Sequence, residues 1–256
     1  MVFQFKQGTT KEEICNLGKT PGFCISIDIA GSTSMKKISC KAEWMAKIKN
    51  SFQISNSYND VEWEFIKGIG DEWMFYCPYC DQNETCPETK AVNSLNRLKH
   101  IIEMSAFEKV YFKELVGTIC YCKEAYNISF APLFSKKQGL EYPEDYYGLD
   151  IDRTFRIAAG AKREFKNKCK KEDKEYNGNL IIMDKSFYDI CKKEYKKNNS
   201  GHKEQFNNYL KQPLYENGSK HEWRLGRKTF EKEISDFPNE TIYYLILMEK
   251  GNSNEY

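Results

Sequence analysis

The chain has 256 residues, of which 39 are basic and 37 acidic, for a formal net charge of +2. That balance supplies no overall field for a polyanion, so nucleic acid is not an expected partner, and the length suits one large core or a core of about 150 to 200 residues with an appendage. No window approaches the roughly 18 to 20 consecutive apolar residues of a membrane span. The start Met1-Val-Phe-Gln-Phe-Lys6 lacks the charged-then-apolar order of a signal peptide, and the 10 cysteines sit among a large apolar repertoire. A soluble cytoplasmic protein with reduced thiols is therefore expected, with no membrane partner.

Residues 1–20 are polar and lead into the turn signal Lys19-Thr-Pro-Gly22. Phe23 to Ala30 reads as a strand covered on both faces, since only Ser26 and Asp28 interrupt its apolar run. After Gly31-Ser-Thr33 a helix is predicted over about Lys41 to Ser55, where Trp44, Ile48 and Phe52 recur every four residues. Two strands, about Val61 to Lys67 and Trp73 to Cys77, flank Gly68-Ile-Gly-Asp71, a link short enough for an antiparallel hairpin with Asp71 at its tip. Beyond a loop from Pro78 to Pro87, a stripe of Ala91, Leu95, Leu98 and Ile102 marks a second amphipathic helix. Leu115 to Tyr126 is β-like and Ala131 to Tyr147 irregular. A helix beginning at Ile151 becomes highly charged by Lys168 to Lys174, and the whole run from Lys162 is expected to be solvated. A strand at Asn179 to Met183, a helix at Lys185 to Tyr195, a polar loop, a short strand at His221 to Arg227 and a last strand at Ile242 to Glu249 complete the chain. The alternation predicts an α/β sandwich on a mixed sheet.

Asp28 and Asp71 carry the chemical signal. Each stands at the end of an apolar run beside a glycine-marked turn, and a carboxylate there is costly to desolvate unless a cation or hydrogen-bond donors compensate it. Together they suggest a shared divalent-cation site, while the N–H groups of Gly31, Ser32 and Thr33 open a helix and can hold phosphate oxygens. Taken singly, each aspartate also suits a cap or a turn.

At these segments the sequence resembles the class III nucleotidyl cyclases of adenylate and guanylate type. Their first strand ends Asp-Ile-x-Gly-Ser-Thr, matched by Asp28-Ile-Ala-Gly-Ser-Thr33, and their hairpin reads Lys-x-x-Gly-Asp, matched by Lys67-Gly-Ile-Gly-Asp71. A third segment, Asp145-Tyr-Tyr-Gly-Leu-Asp-Ile-Asp-Arg-Thr-Phe-Arg156, is similar to Asp-x-x-Gly-x-x-Val-Asn-x-Ala-x-Arg of that family.

The resemblance implies a mixed central sheet with flanking helices and a ferredoxin-like core plus a C-terminal extension. Residues 1–20 would be an N-terminal extension, 21–200 the catalytic domain and 201–256 strands completing or extending it. It makes Asp28 and Asp71 ligands of Mg²⁺ or Mn²⁺, two ions per site, with the Ile29 carbonyl assisting. Arg156 would offset charge on the pentavalent phosphate, Lys67 and Asp145 would touch the base, and Gly31, Ser32 and Thr33 would lie at the phosphates. Asp152 stands where the family has a ribose-orienting asparagine, so that contact must differ in detail. The family builds each site from both subunits of a head-to-tail dimer, which for this chain implies a homodimer with two shared sites.

A lysine donor beside an aspartate acceptor suits adenine, cytosine or uracil, so the pair does not select the base. Phe52, Tyr146 and Tyr147 are bulky residues able to close a pocket around a smaller pyrimidine. Gly-Asp-Glu after the lysine and Asp-Ile-Asp-x-x-Phe-Arg in the third segment look like the bacterial pyrimidine cyclases of Pycsar antiphage defence. These make cyclic UMP or cyclic CMP for a separate effector. UTP is thus the favoured substrate and CTP the next, with adenylate cyclase as the alternative.

Gly68-Ile-Gly-Asp-Glu-Trp73 is also similar to the Gly-Gly-Asp-Glu-Phe turn of diguanylate cyclases, a reading opposed by the first and third segments. Cys77, Cys80 and Cys86 could supply three ligands to zinc in a catalytically silent nucleotide-binding or interaction module, though reduced thiols packed as small hydrophobes are the expectation. Gly226 with Arg224, Arg227 and Lys228 reads as a basic turn. His100, His202 and His221 form no nucleophile-base arrangement.

Overall fold

A computed structural model describes residues 3–4, 8–32, 37, 40–57, 63–79, 87–107, 114–129, 145–171, 179–198, 203–214, 221–230 and 239–249. Its strands are β1 (Phe3–Gln4), β2 (Gly22–Ile29), β3 (Glu64–Ile69), β4 (Glu72–Pro78), β5 (Leu115–Cys122), β6 (Tyr126–Ser129), β7 (Asp145–Tyr147), β8 (Leu180–Asp184), β9 (His221–Phe230) and β10 (Glu240–Glu249). Its helices are α1 (Lys11–Cys15), α2 (Lys41–Ser57), α3 (Pro87–Phe107), α4 (Leu149–Lys171), α5 (Lys185–Asn198) and α6 (Lys203–Lys211). Among the described residues no helix is long and apolar enough to cross a membrane.

Seven strands form one mixed sheet in the order β3-β4-β2-β5-β8-β10-β9. The run β2-α2-β3-β4-α3-β5, with its strands ordered β3-β4-β2-β5, is the ferredoxin-like arrangement. β5 pairs with β8 in parallel, and β10 and β9 continue the same sheet antiparallel, ten residue pairs of β10 matching β9 from Glu240↔Phe230 to Glu249↔His221. β1, β6 and β7 form a separate three-stranded sheet.

The central position of β2 explains its composition. Alternate residues point to opposite faces, and both faces are covered. Phe23, Ile25, Ile27 and Ile29 pack with Leu95, Leu98 and Ile102 of α3 and with Phe187 and Cys191 of α5. On the other face Cys24 packs with Met74, Tyr76 and Tyr146, while Ile157 and Ala161 of α4 cover Val116 and Cys120 of β5. The α3 stripe Ala91, Leu95, Leu98 and Ile102 is fully buried, as its spacing predicts. Asp28, two residues on from Ser26, lies on the α4 face.

Two expectations need correction. The polar loop after α5 contains α6, whose Phe206, Tyr209 and Leu210 follow helical spacing and bury against the core. Gly226 is no turn but the middle of β9, opposite Tyr244. A Cβ there would lie 2.1 Å from the Tyr244 ring, so only glycine lets the tyrosine lie across the strand. The basic residues nearby are engaged locally: Lys228 pairs with Glu164, Arg224 with Glu222, and Arg227 lies 5.8 Å from the Tyr243 ring.

A buried charge pair ties the C-terminal strands to α3. Lys99 donates to the Gln212 carbonyl at 2.7 Å, and Glu103 accepts from Trp223 Nε1 at 2.5 Å and from Leu214 N at 3.0 and 3.1 Å. Burial lowers the Lys99 pKa to about 8, with Glu103 pulling it back up. Below pH 8 both the folded and unfolded states hold the proton, whereas between about 8 and 10.5 only the unfolded chain does, so stability rises with pH across that window. Relative to Lys99→Met, the wild type should gain on the order of 3 kcal/mol over that interval, read from urea midpoints. Equal pH dependence of the two proteins would contradict the assignment.

Candidate active site

The β3–β4 hairpin closes through Gly70-Asp71, flanked by the pair Ile69↔Glu72. Gly70 has φ +69°, the first-position pattern of a type II′ turn, which glycine adopts without strain. The hairpin thereby puts Asp71 at the end of β4 and Glu72 directly opposite Asp28 of β2. Glu72 accepts a hydrogen bond from the Ser26 hydroxyl on that face.

Asp28 Oδ2 accepts from Lys162 Nζ of α4 at 2.8 Å, each side chain about a quarter exposed. Burial pushes the Asp28 carboxyl above the usual aspartate range, Lys162 pulls it down without offsetting the burial, and Glu72 and Asp71 add to the rise. Lys162 belongs to the run expected to be solvated. The correction has a simple cause: α4 crosses the sheet on the Asp28 face, so one lysine of that run meets a half-buried carboxylate. Ile29 is buried beside Asp28, Gly31 turns with φ +72°, Ser32 is buried after it, and Thr33 lies outside the described residues.

A second cluster joins residues distant in sequence. Lys67 of β3 donates to Asp145 Oδ2 of β7 at 2.6 Å across a separation of 78 residues, and its Nζ lies 5.6 Å from the Tyr147 ring. Tyr146 is buried, stacks on Tyr76 at 4.0 Å and donates to Glu64 at 2.7 Å, which anchors β7 under the pair. Phe52 does not join this cluster. It packs on Phe65 and Trp73 at the α2 face, because Trp73 and Phe75 alternate with Met74 and Tyr76 across β4.

Asp152 and Arg156, four residues apart, share an exposed stripe of α4. Between them Arg153 turns inward, where Nε and Nη2 meet Glu240 at 2.6 and 2.9 Å and Nη1 meets the fully buried Asp184 at 3.0 Å. Asp184 also accepts from Tyr121 N and Phe187 N, so it caps α5 while holding α4. Sequence reasoning missed Lys162, Glu72 and the Arg153 lock. The alternation of β2 and β4 could have placed Glu72 on the Asp28 face.

The donor set suits a hard divalent cation. Mg²⁺ takes one or two protein carboxylates and completes its shell with phosphates and waters, which fits Asp28, Asp71 and the Ile29 carbonyl. Among the described residues no three His, Cys, Asp or Glu side chains converge to hold a metal by themselves. Cys77 is buried among apolar core residues, and its potential zinc partners Cys80 and Cys86 lie outside the described residues.

No protein-family model and no curated protein matches the sequence. Solved structures do match. The guanylate cyclase domain of RhGC from Catenaria anguillulae, in complex with GTP, superposes with TM-score 0.54 at 12% identity over 90% of this chain and 98% of that one. The adenylyl cyclase CyaB from P. aeruginosa gives TM-score 0.54 at 12% identity over 92% and 98%. The catalytic core of a rhodopsin-guanylyl cyclase with converted specificity, in complex with ATPalphaS, gives 0.53 at 13% over 89% and 96%. The seven-stranded mixed sheet, its flanking helices and these near-complete superpositions give this chain the fold of the class III nucleotidyl cyclase catalytic domains.

Proposed function

We propose that the chain is a nucleotidyl cyclase that converts a pyrimidine nucleoside triphosphate, UTP before CTP, into its 3′,5′-cyclic monophosphate and pyrophosphate. The observation that carries this reading is the 2.6 Å contact of Lys67 with Asp145, a donor and an acceptor brought together from two of the three cyclase-like segments. On this reading Lys67 and Asp145 hold the base edge, and Tyr147 beside Lys67 narrows the space to suit a pyrimidine. Asp28, Asp71 and the Ile29 carbonyl hold two Mg²⁺ or Mn²⁺ ions. When bound, these ions lower the pKa of the ribose 3′ hydroxyl and neutralise charge on the departing pyrophosphate.

The 3′ oxygen attacks the α-phosphorus in line, and the bond to the pyrophosphate oxygen breaks. Asp152 orients the ribose, the N–H groups of Gly31 and Ser32 meet the phosphates, and Arg156 offers a fixed, always-charged fork to the α-phosphoryl oxygens. The exposure of the Asp152–Arg156 stripe suits a head-to-tail homodimer in which each α4 serves the partner's metal carboxylates. The product would be a second messenger in antiphage defence, read by a separate effector.

Incubation with ATP, GTP, CTP and UTP separately, with Mn²⁺ and mass spectrometry of the products, should yield cyclic UMP first and cyclic CMP second. A product from ATP alone overturns the pyrimidine assignment and leaves the cyclase. A cyclic dinucleotide from GTP, or binding without any cyclic product, overturns the cyclase.

A further inference from the structure

We propose that Lys162 is the resident counter-ion of Asp28, and that metal loading at this carboxylate is an exchange of the lysine ammonium for a divalent cation rather than a simple addition. The inference rests on the reading of Asp28 as a metal ligand. Three observations carry it. The ammonium lies 2.8 Å from Asp28 Oδ2, an oxygen of the carboxylate that a hard divalent cation would use. The pair is set into the fold rather than hung on the surface, with both side chains about three-quarters shielded and linked across 134 residues of sequence. The surroundings are acidic, Glu72 standing opposite Asp28 and Asp71 preceding Glu72 in the same hairpin, an arrangement that favours a cation of higher charge.

The placement of Lys162 on α4 follows from helix geometry. Ile157, Ala161 and Phe165 bind the helix to the sheet, and Lys162, next to Ala161, falls at the edge of that apolar stripe, where a flexible stem can lay its head on Asp28. Arg156 is six residues away, about 9 Å along the axis and on a different side of the helix. One helix therefore presents an exposed arginine on one side and a carboxylate-bound lysine on another. Once a divalent ion takes the oxygen, like-charge repulsion expels the ammonium, whose tether keeps it beside the same carboxylates. There it can pair with a phosphate oxygen of the nucleotide, a partner that replaces Asp28 at no cost in net charge. Lys162 thus acts as a positioning residue that holds the Asp28 carboxylate correctly turned before loading.

The test uses Mn²⁺ alone, without nucleotide, followed by loss of the free-ion EPR signal in the full-length wild type, Lys162→Met, Lys162→Arg and Asp28→Asn. Folding of each is checked by circular dichroism. Removing the competing charge should tighten Mn²⁺ binding roughly fivefold to tenfold in Lys162→Met, with Lys162→Arg close to wild type and Asp28→Asn much weaker than either. In parallel, reductive methylation of wild-type Lys162, quantified by peptide mass spectrometry, should accelerate when Mn²⁺ is added. Unchanged or weaker Mn²⁺ binding by folded Lys162→Met, or methylation indifferent to Mn²⁺, overturns the exchange while leaving Asp28 as a ligand. Wild-type Mn²⁺ binding by Asp28→Asn instead overturns the metal assignment itself.

Discussion

Asp28→Asn protein should make cyclic nucleotide at least about 10²- to 10³-fold more slowly than wild type, the scale of loss when a group stabilising transition-state charge is removed, yet it should melt at a higher temperature in EDTA. The two effects share a cause. Burial raises the Asp28 carboxyl above its ordinary range despite Lys162, so the folded state binds a proton more readily than the unfolded chain in the window just above pH 3.8. Stability therefore falls as pH rises through that window, and the ionised side chain remains a net cost at neutral pH. A neutral asparagine removes that cost, so the melting temperature should rise. The gain should be present at pH 7.5 and shrink as the pH falls and the wild-type carboxyl takes up its proton. A lower melting temperature than wild type at pH 7.5 would mean that the Lys162 pair outweighs burial. If the proposed dimer shares its sites, mixing Asp28→Asn with Arg156→Ala should restore activity through one intact site per heterodimer. Heterodimers that form and stay inactive would remove the shared-site arrangement.

Arg153→Met should destabilise the fold by about 3 to 5 kcal/mol, the usual consequence of stripping one partner from a buried charge pair. Asp184 is fully buried, and besides two backbone N–H groups its compensation is the Arg153 guanidinium at 3.0 Å. Burial alone would lower the arginine's pKa, but the hydrogen bonds to Glu240 and the charge of Asp184 hold it above its ordinary value, so the side chain is a permanent cation. Methionine fills similar volume and leaves Asp184 to face burial without that charge. Adding Asp184→Asn to the variant should recover part of the loss, because the amide still accepts from the backbone and carries no charge. Urea midpoints of the single and double variants measure this. A single variant within 1 kcal/mol of wild type would show that the lock contributes little.

Much of the fold was legible from local pattern. The nearly continuous apolar run of β2 marked a strand buried on both faces, the four- and three-residue spacing of Ala91, Leu95 and Leu98 marked α3, and Gly68-Ile-Gly-Asp71 marked the hairpin. α6 was also legible in principle from Phe206, Tyr209 and Leu210, but its polar composition masked a helix of only nine residues. Gly226 misled because a glycine among basic residues has the composition of a turn. What makes it a strand residue is the Tyr244 ring, which belongs to another segment.

The sequence by itself determined most of the strands and helices, the turns carrying Asp28 and Asp71, and the three cyclase-like segments, because each depends on residues a few positions apart. Only the tertiary structure decided that Lys67 meets Asp145, that Lys162 rather than solvent compensates Asp28, and that Arg153 points inward while Arg156 and Asp152 stay exposed. Those contacts join strands and helices 31 to 134 residues apart. Which lysine of a charged helix finds a carboxylate depends on where the helix crosses the sheet, and sheet order and crossing are set by the packing of whole faces, not by the spacing of neighbours along the chain.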